Sequence, residues 1–132
     1  MNYLLKNLPV RTQKPRTTGF TMVMDKGLSI REVENFVDAN AEYVDIVKLG
    51  WATSYLTNRL AEKIEIYRDA GIPVYFGGTL FEAFVIRDQF EDYRKVIDKY
   101  GIRFAEVSDG SISLPHDKKC EFIRILAKDV TV

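Results

Sequence analysis

Residues 71–82 read GIPVYFGGTLFE, and the fold is predicted from their change from a helix end to a strand and then to a new helix. Gly71 ends a helical pattern and Pro73 opens a short apolar strand, as is common after helices. The strand ends at Gly77-Gly78, and an apolar helical pattern begins near Leu80. Three further apolar runs end in the same way: FTMVMDKG at 20–27, YVDIVKLGW at 43–51 and IRFAEVSDGS at 102–111. Because helical periodicity separates the runs, the sequence predicts an α/β protein with parallel strands.

The helical stretches between the strands carry their own boundary signals. Ser29 precedes Glu32 by three residues, the spacing of a capping box at a helix start. The stretch 80–100 is long for one helix, and we expect a break near Asp88. Pro115 suits the first turn of a further helix. These signals predict a helix after each strand.

The number of strands predicts part of a larger barrel. Four βα units are followed by Val130-Thr131-Val132, the beginning of a fifth strand. A (β/α)8 TIM barrel has about 250 residues, so the 132 residues of this chain correspond to its first half. Residues 1–19, which precede the first strand, are predicted to form a basic N-terminal arm. A partial TIM-barrel domain, or half barrel, is predicted over residues 20–132.

Composition favours a globular domain without a nucleic-acid or membrane partner. Lys and Arg number 19, Asp and Glu also number 19, and 46% of the residues are hydrophobic. A balanced charge creates no field that attracts nucleic acid, and no apolar run approaches the roughly 20 residues of a bilayer span. The single Cys120 forms no internal disulfide, and the N-terminus shows no signal-peptide pattern. We therefore expect a cytoplasmic protein.

The strand ends supply the candidate functional residues, because the loops after the strands form the active face of α/β proteins. A lysine that ends an apolar strand can transfer a proton or pair with an anion. Carboxylates on neighbouring strands can converge on a hard divalent cation such as Mg²⁺. Glycine-rich turns let backbone N–H groups approach a ligand. The candidates are Asp25, Lys26, Lys48, Gly77, Gly78, Thr79, Glu106, Ser108 and Asp109.

Most of these candidates have an alternative role that involves no ligand. Asp25 and Asp109 can simply shape turns, the commoner role of Asp close before Gly. Lys48 can form a structural ion pair with Asp45 or Glu106. The Gly-Gly turn can exist only to fit the backbone.

Three residues outside the strand ends have alternative roles of their own. Arg16, the basic residue nearest the first strand, either belongs to a solvated arm or reaches an anionic ligand. His116, at a predicted helix start, is expected to be exposed. Cys120 is expected to be a small core residue.

Four blocks of the sequence resemble the phosphosulfolactate synthase family. The resemblance extends from Pro15 over nearly the whole chain, but it covers only the first half of the family's barrel. It implies a TIM-barrel-like fold that assembles into oligomers, so we expect a homo-oligomer or a missing C-terminal half. The blocks are KPRTTGFTMVMDKGL at 14–28, VDIVKLGW at 44–51, GIPVYFGGTLFE at 71–82 and EVSDGS at 106–111.

The resemblance also implies a reaction and a set of site residues. The family is understood to be a carbon–sulfur lyase that adds sulfite to phosphoenolpyruvate with Mg²⁺, giving (2R)-phospho-3-sulfolactate on routes to coenzyme M and sulfolactate. The expected steps are attack of sulfite at C2 and protonation of C3 by a lysine. The implied roles are Lys48 as catalytic residue, Glu106 as metal ligand with Asp25 or Asp109, and Arg16, Lys26, Gly77, Gly78 and Ser108 as substrate contacts.

Two other functions stay open at this point. The family includes plant proteins linked to heat stress, so the chain can be a non-catalytic stress-associated or interaction protein of the same fold. It can also be another TIM-barrel enzyme that acts on a phosphorylated small acid, because fold does not fix function.

Overall fold

The computed structural model describes residues 5–132 as an α/β fold built on a parallel sheet. None of the helices in these residues has the length and apolar character needed to cross a bilayer. Single 3-10 turns lie at Ala41–Tyr43 and Thr53–Tyr55. The strands and longer helices are β1 (Met22–Asp25), α1 (Ile30–Asn40), β2 (Ile46–Leu49), α2 (Leu60–Asp69), β3 (Val74–Phe76), α3 (Gly78–Val85), α4 (Phe90–Lys99) and α5 (His116–Leu126).

The sheet follows the order of the chain. β1 pairs with β2 and β2 pairs with β3, all in parallel. The predicted fourth strand is present only as bridges, because Phe76 pairs with Ala105 and Phe104 pairs with Thr131, again in parallel. The pairing of Thr131 agrees with the predicted start of a fifth strand. The predicted α/β class with parallel strands is therefore confirmed.

The two faces of the sheet have different surroundings. Side chains alternate between the faces along each strand, and one face carries the buried core, which includes Val47, Leu49 and Phe76 under the helices. The opposite face is uncovered within the described residues, and Met22 is 47% exposed there. We call it the open face; it is formed by Met22, Met24, Ile46, Lys48 and Tyr75.

The helix boundaries follow the predicted signals. Glu32 N–H donates to Ser29 Oγ, and Ser29 N–H donates to Glu32 Oε2, so the capping box forms. The long helical stretch breaks between α3 and α4, where Asp88 adopts a left-handed conformation with φ of 55°. His116 is exposed at the start of α5, as expected. Cys120 is half-buried, and its Sγ lies 3.5 Å from His116 Nε2.

The N-terminal arm is held against the sheet edge at which the strands begin. Lys14 Nζ donates to Ala41 O at 2.7 Å, and Arg11 donates to Tyr43 O at 2.9 Å. Arg16 is buried, and its guanidinium lies 2.6 Å from the Asp45 carboxylate. Residues 1–4 of the predicted arm lie outside the described residues, and the domain boundary at residue 19 stays a prediction. Arg11, Lys14 and Arg16 thus anchor the arm at this edge.

Candidate functional site

Two of the predicted residues, Lys48 and Glu106, meet where the strands end. Lys48 lies in β2, and Glu106 follows Ala105, which bridges to β3. Lys48 Nζ lies 2.6 Å from Glu106 Oε2 and 2.8 Å from Oε1. Their side chains are 17% and 32% exposed. The pair is therefore partly shielded from water and still open to a ligand.

Tyr75 completes this pair from the strand between its two members. It lies opposite Lys48 in the register of β2 and β3. Burial, and then the negative charge of the neighbouring Glu106 carboxylate, raise the pKa of Tyr75 to about 12. The phenol therefore stays protonated at neutral pH. Tyr75 was not predicted from the sequence, because its place beside Lys48 depends on the strand register.

The Gly77-Gly78 turn lies directly against these side chains. A Cβ on Gly77 would lie 2.8 Å from Lys48 Cε. A Cβ on Gly78 would overlap the Ser108 side chain and lie 2.9 Å from Glu106 Oε1. Any larger residue would displace the neighbours, so the glycines allow β3, Lys48 and the 106–108 segment to approach one another. The predicted residues Lys48, Gly77, Gly78, Glu106 and Ser108 are thus brought together.

Ser108 is fixed by a carboxylate that the sequence analysis did not select. Ser108 Oγ donates to Oε1 of Glu82, a buried residue of α3. The same carboxylate accepts hydrogen bonds from Gly110 N and from both N–H and Oγ of Ser111. Burial alone would raise the pKa of Glu82, but these hydrogen bonds outweigh it and lower the pKa. Glu82 is the single charged residue in the helix GTLFEAFV, and this was the sequence signal that could have identified it.

Asp25, a predicted metal ligand, points away from this group. It lies on the face of the sheet that packs against the helices, and Lys63 Nζ is 2.7 Å from its Oδ2. Both side chains are 1% exposed. Asp25 Oδ1 accepts the N–H groups of Gly27 and Leu28, each at 2.8 Å. The carboxylate is therefore engaged in a buried structural ion pair.

Three other predicted residues also lie apart from Lys48 and Glu106. Asp109 is exposed and lies 2.6 Å from Lys119 Nζ. Lys26 is exposed in the turn after β1. Arg16 lies with Asp45 at the sheet edge where the strands begin, away from Lys48 and Glu106. Its guanidinium is also occupied by Thr12 O and Glu42 O.

The residues present fit only a limited role in binding Mg²⁺. Within residues 5–132, no three His, Cys, Asp or Glu side chains are placed to hold a metal ion. Of the three predicted ligands, only Glu106 faces the site. Mg²⁺ usually takes one or two protein carboxylates and fills its shell with water and substrate oxygens. Glu106 fits such a shared ion, whereas a site made jointly with Asp25 and Asp109 does not form.

A lysine, a carboxylate and a tyrosine beside a glycine turn, at the ends of parallel strands, define the kind of site that α/β enzymes use for small ligands. Comparison with known proteins specifies the family. The family model described as (2R)-phospho-3-sulfolactate synthase (ComA) matches residues 9–132. The chain therefore belongs to the phosphosulfolactate synthase family.

Individual relatives agree with this assignment. The phosphosulfolactate synthase of Bacillus subtilis (strain 168) is 35% identical over 123 residues, which are 93% of this chain and 49% of that protein. The enzyme of the same name from Methanothermobacter thermautotrophicus is 35% identical, over 89% of this chain and 46% of the relative. The one from Methanocaldococcus jannaschii is 40% identical, over 84% and 45%. The chain thus spans about half the length of the curated relatives it matches.

Proposed function

We propose that this chain forms one half of a phosphosulfolactate synthase site, in which sulfite adds to phosphoenolpyruvate to give (2R)-phospho-3-sulfolactate. The observation that carries the proposal is the Lys48 amine held 2.6 Å from the Glu106 carboxylate at the strand ends. The pair is partly shielded, lies beside a glycine turn, and belongs to a chain whose relatives are named for this reaction.

The numbering of the product corrects the expected position at which sulfite attacks phosphoenolpyruvate. The family description names 3-sulfolactate, so the sulfonate is on C3, and the sequence-based expectation of attack at C2 was wrong. Sulfite adds to C3, the sulfur–carbon bond forms, and the electron pair of the C2=C3 bond moves toward the carboxylate. The resulting aci-carboxylate is then protonated at C2.

Lys48 is proposed as the group that delivers this proton. Its ammonium gives a proton to C2 and regains one from solvent, which balances the addition. Glu106 holds the ammonium in place, and the protonated Tyr75 phenol lies near the Glu106 carboxylate. When bound, Mg²⁺ would supply positive charge to stabilise the aci-carboxylate, with Glu106 as the ligand from this chain.

We further propose that the sheet is the first half of a TIM barrel. Parallel strands in chain order support this, as does an apolar open face with Met22 and Met24 exposed. In a closed barrel, inward-facing side chains are covered by the other strands. The remaining strands would come from the rest of a longer polypeptide or from a second copy of the chain, and would complete the substrate site.

A chimera tests the proposed reaction. Residues 9–132 would replace the matching part of the Bacillus subtilis relative, and product formation from phosphoenolpyruvate, sulfite and Mg²⁺ would be followed by ³¹P NMR. We expect turnover, and we expect Lys48→Ala to lower kcat by about 100-fold or more. Lys95→Ala, which removes an exposed partner of Asp92 on α4, is the matched control.

Two outcomes would count against the proposal. Full activity in the Lys48→Ala chimera would remove Lys48 as the proton donor. A folded chimera that makes no product would favour the non-catalytic alternative, in which Lys48 and Glu106 form a structural ion pair. The 132-residue chain alone, assayed beside the chimera, shows whether the half site is sufficient.

A further inference from the structure

The segment 108–111, which follows Glu106, is hydrogen-bonded to α3 through a single side chain, that of Glu82. Glu82 is 3% exposed, and its two carboxylate oxygens accept four hydrogen bonds from this segment. We infer that Glu82 is a positioning residue that holds segment 108–111 and thereby keeps Glu106 against Lys48. The inference rests on the proposed function for the chemistry of that pair.

Helix α3 contacts segment 108–111 at two positions on one face of the helix. Gly78 and Glu82 are four residues apart in α3, so they lie on the same side of the helix. Gly78 packs against Ser108 and Glu106, and a Cβ there would lie 2.9 Å from Glu106 Oε1. Glu82 binds Ser108, Gly110 and Ser111 one turn further along. Contact at both ends leaves the segment little freedom to shift relative to Glu106.

Burial of the charge couples the order of the segment to the fold. Apart from Thr79, Glu82 is the only polar side chain of α3, GTLFEAFV, whose Leu80 and Phe81 are also buried. A buried carboxylate is costly unless hydrogen bonds replace its water. Here, segment 108–111 supplies those donors. If the segment moved away, the carboxylate would be left buried without them, so the arrangement favours one position of the loop.

Glu82→Gln in the 132-residue chain tests the inference without turnover. The amide nitrogen of Gln cannot accept, so the donors facing that atom lose their partner. We expect amide hydrogen exchange at Gly110 and Ser111 to become about tenfold faster. We also expect Lys48 to be acylated faster by an amine-reactive reagent, measured by mass spectrometry, because Glu106 holds it less firmly. Glu121→Gln on the exposed side of α5, where Glu121 pairs with Lys118, is the matched control.

Ser111→Ala provides a second variant that leaves the core intact. It removes one donor to Glu82 Oε2, so smaller changes in the same direction are expected. Unchanged exchange at Gly110 and Ser111 in Glu82→Gln would overturn the inference. Faster exchange with unchanged acylation of Lys48 would also overturn it, because Glu82 would then serve only the loop. An inactive chimera would refute the proposed reaction and leave these two readouts unaffected.

Discussion

Two lysine–carboxylate pairs lie at the ends of neighbouring strands and differ in their surroundings. Asp25 ends β1 and pairs with Lys63 at 2.7 Å, and both side chains are 1% exposed. Lys48 in β2 pairs with Glu106 at 2.6 Å, and these side chains are 17% and 32% exposed. The first pair faces the helices and the second lies on the open face. The same chemical groups at similar distances therefore differ in whether a substrate can reach them.

The remaining contacts of each pair agree with this difference. Asp25 also accepts hydrogen bonds from Tyr67 and from two backbone N–H groups, and Lys63 donates to Leu28 O. A buried ion pair needs such contacts to offset the loss of water. Glu106 has Tyr75 as a neighbour and retains access to solvent. The first pair stabilises the turn after β1, and the second remains accessible to solvent and to a ligand.

The largest effect on stability is expected from breaking the buried pair. Lys63→Met leaves the Asp25 carboxylate buried without its cation, and we expect the free energy of unfolding to fall by about 3–5 kcal/mol. Urea denaturation of the 132-residue chain measures it. Lys48→Met is the matched change at the other pair, and a loss of about 1 kcal/mol or less is expected there. Equal losses at the two sites would contradict the distinction between them.

A smaller effect is expected at Arg16, which also forms a buried pair. Arg16→Met should cost about 2 kcal/mol, less than Lys63→Met, because Asp45 keeps Arg11 at 3.7 Å and the Thr21 N–H. The kcat of the chimera should remain within about twofold of the unaltered value. A large rise in KM for phosphoenolpyruvate with normal stability would instead restore the predicted role of Arg16 as a substrate contact.

Gly78→Ala tests the close packing of α3 against Ser108 and Glu106. The added methyl overlaps Ser108, and we expect a loss of about 1–3 kcal/mol with displacement of Glu106. Gly110→Ala, in the segment 108–111 that faces Gly78, is the control, since a Cβ there would meet Glu82 Oε1 and Ser108 Oγ at an ordinary 3.8 Å. Thermal unfolding and chimera kcat distinguish the two. A harmless Gly78→Ala would show that the turn can relax.

The smallest effect concerns pH. Hydrogen bonds from Ser108, Ser111 and Gly110 overcome burial and lower the pKa of Glu82 below its ordinary value of 4.5. Their stabilisation is therefore complete above that value and is lost as the pH falls through the lower pKa of the folded state. The urea midpoints of the unaltered chain and Glu82→Gln should converge on acidification. A constant difference from neutral to acidic pH would show that Glu82 does not titrate in this way.

Part of the candidate site was predictable from the sequence, and the rest was not for identifiable reasons. Lys48 and Glu106 were found because parallel strands end at one edge, and each residue closes an apolar run. Asp25 also follows such a run, but its face of the sheet is decided by strand register and by Lys63. Lys63 falls in the apolar stripe of α2, beside Ile64, and this was a usable sign of a buried partner.

The fold was more predictable than the site, because it depends on local signals. The capping box at Ser29 and the break near Asp88 involve residues close in sequence. The pairing of Tyr75 with Lys48, and the bonds from Glu82 to residues 108–111, join separate elements. A single sequence contains no signal for these distances. The fourth strand was predicted as a regular strand. It forms a single bridge to each neighbouring segment, through Ala105 to Phe76 and through Phe104 to Thr131, and the extent of such pairing is not encoded in the strand's own sequence.

The order of the strands has a consequence for how the protein is made. Each strand pairs with the one synthesised just before it, from β1 to β3 and then through Ala105 and Thr131. Domains generally fold from the N-terminus during synthesis, and contacts close in sequence form fastest. Each new βα unit can therefore dock on a finished edge as it leaves the ribosome. The Lys48–Glu106 contact closes only after the Glu106 segment has emerged, so this ion pair is assembled after its supporting strands.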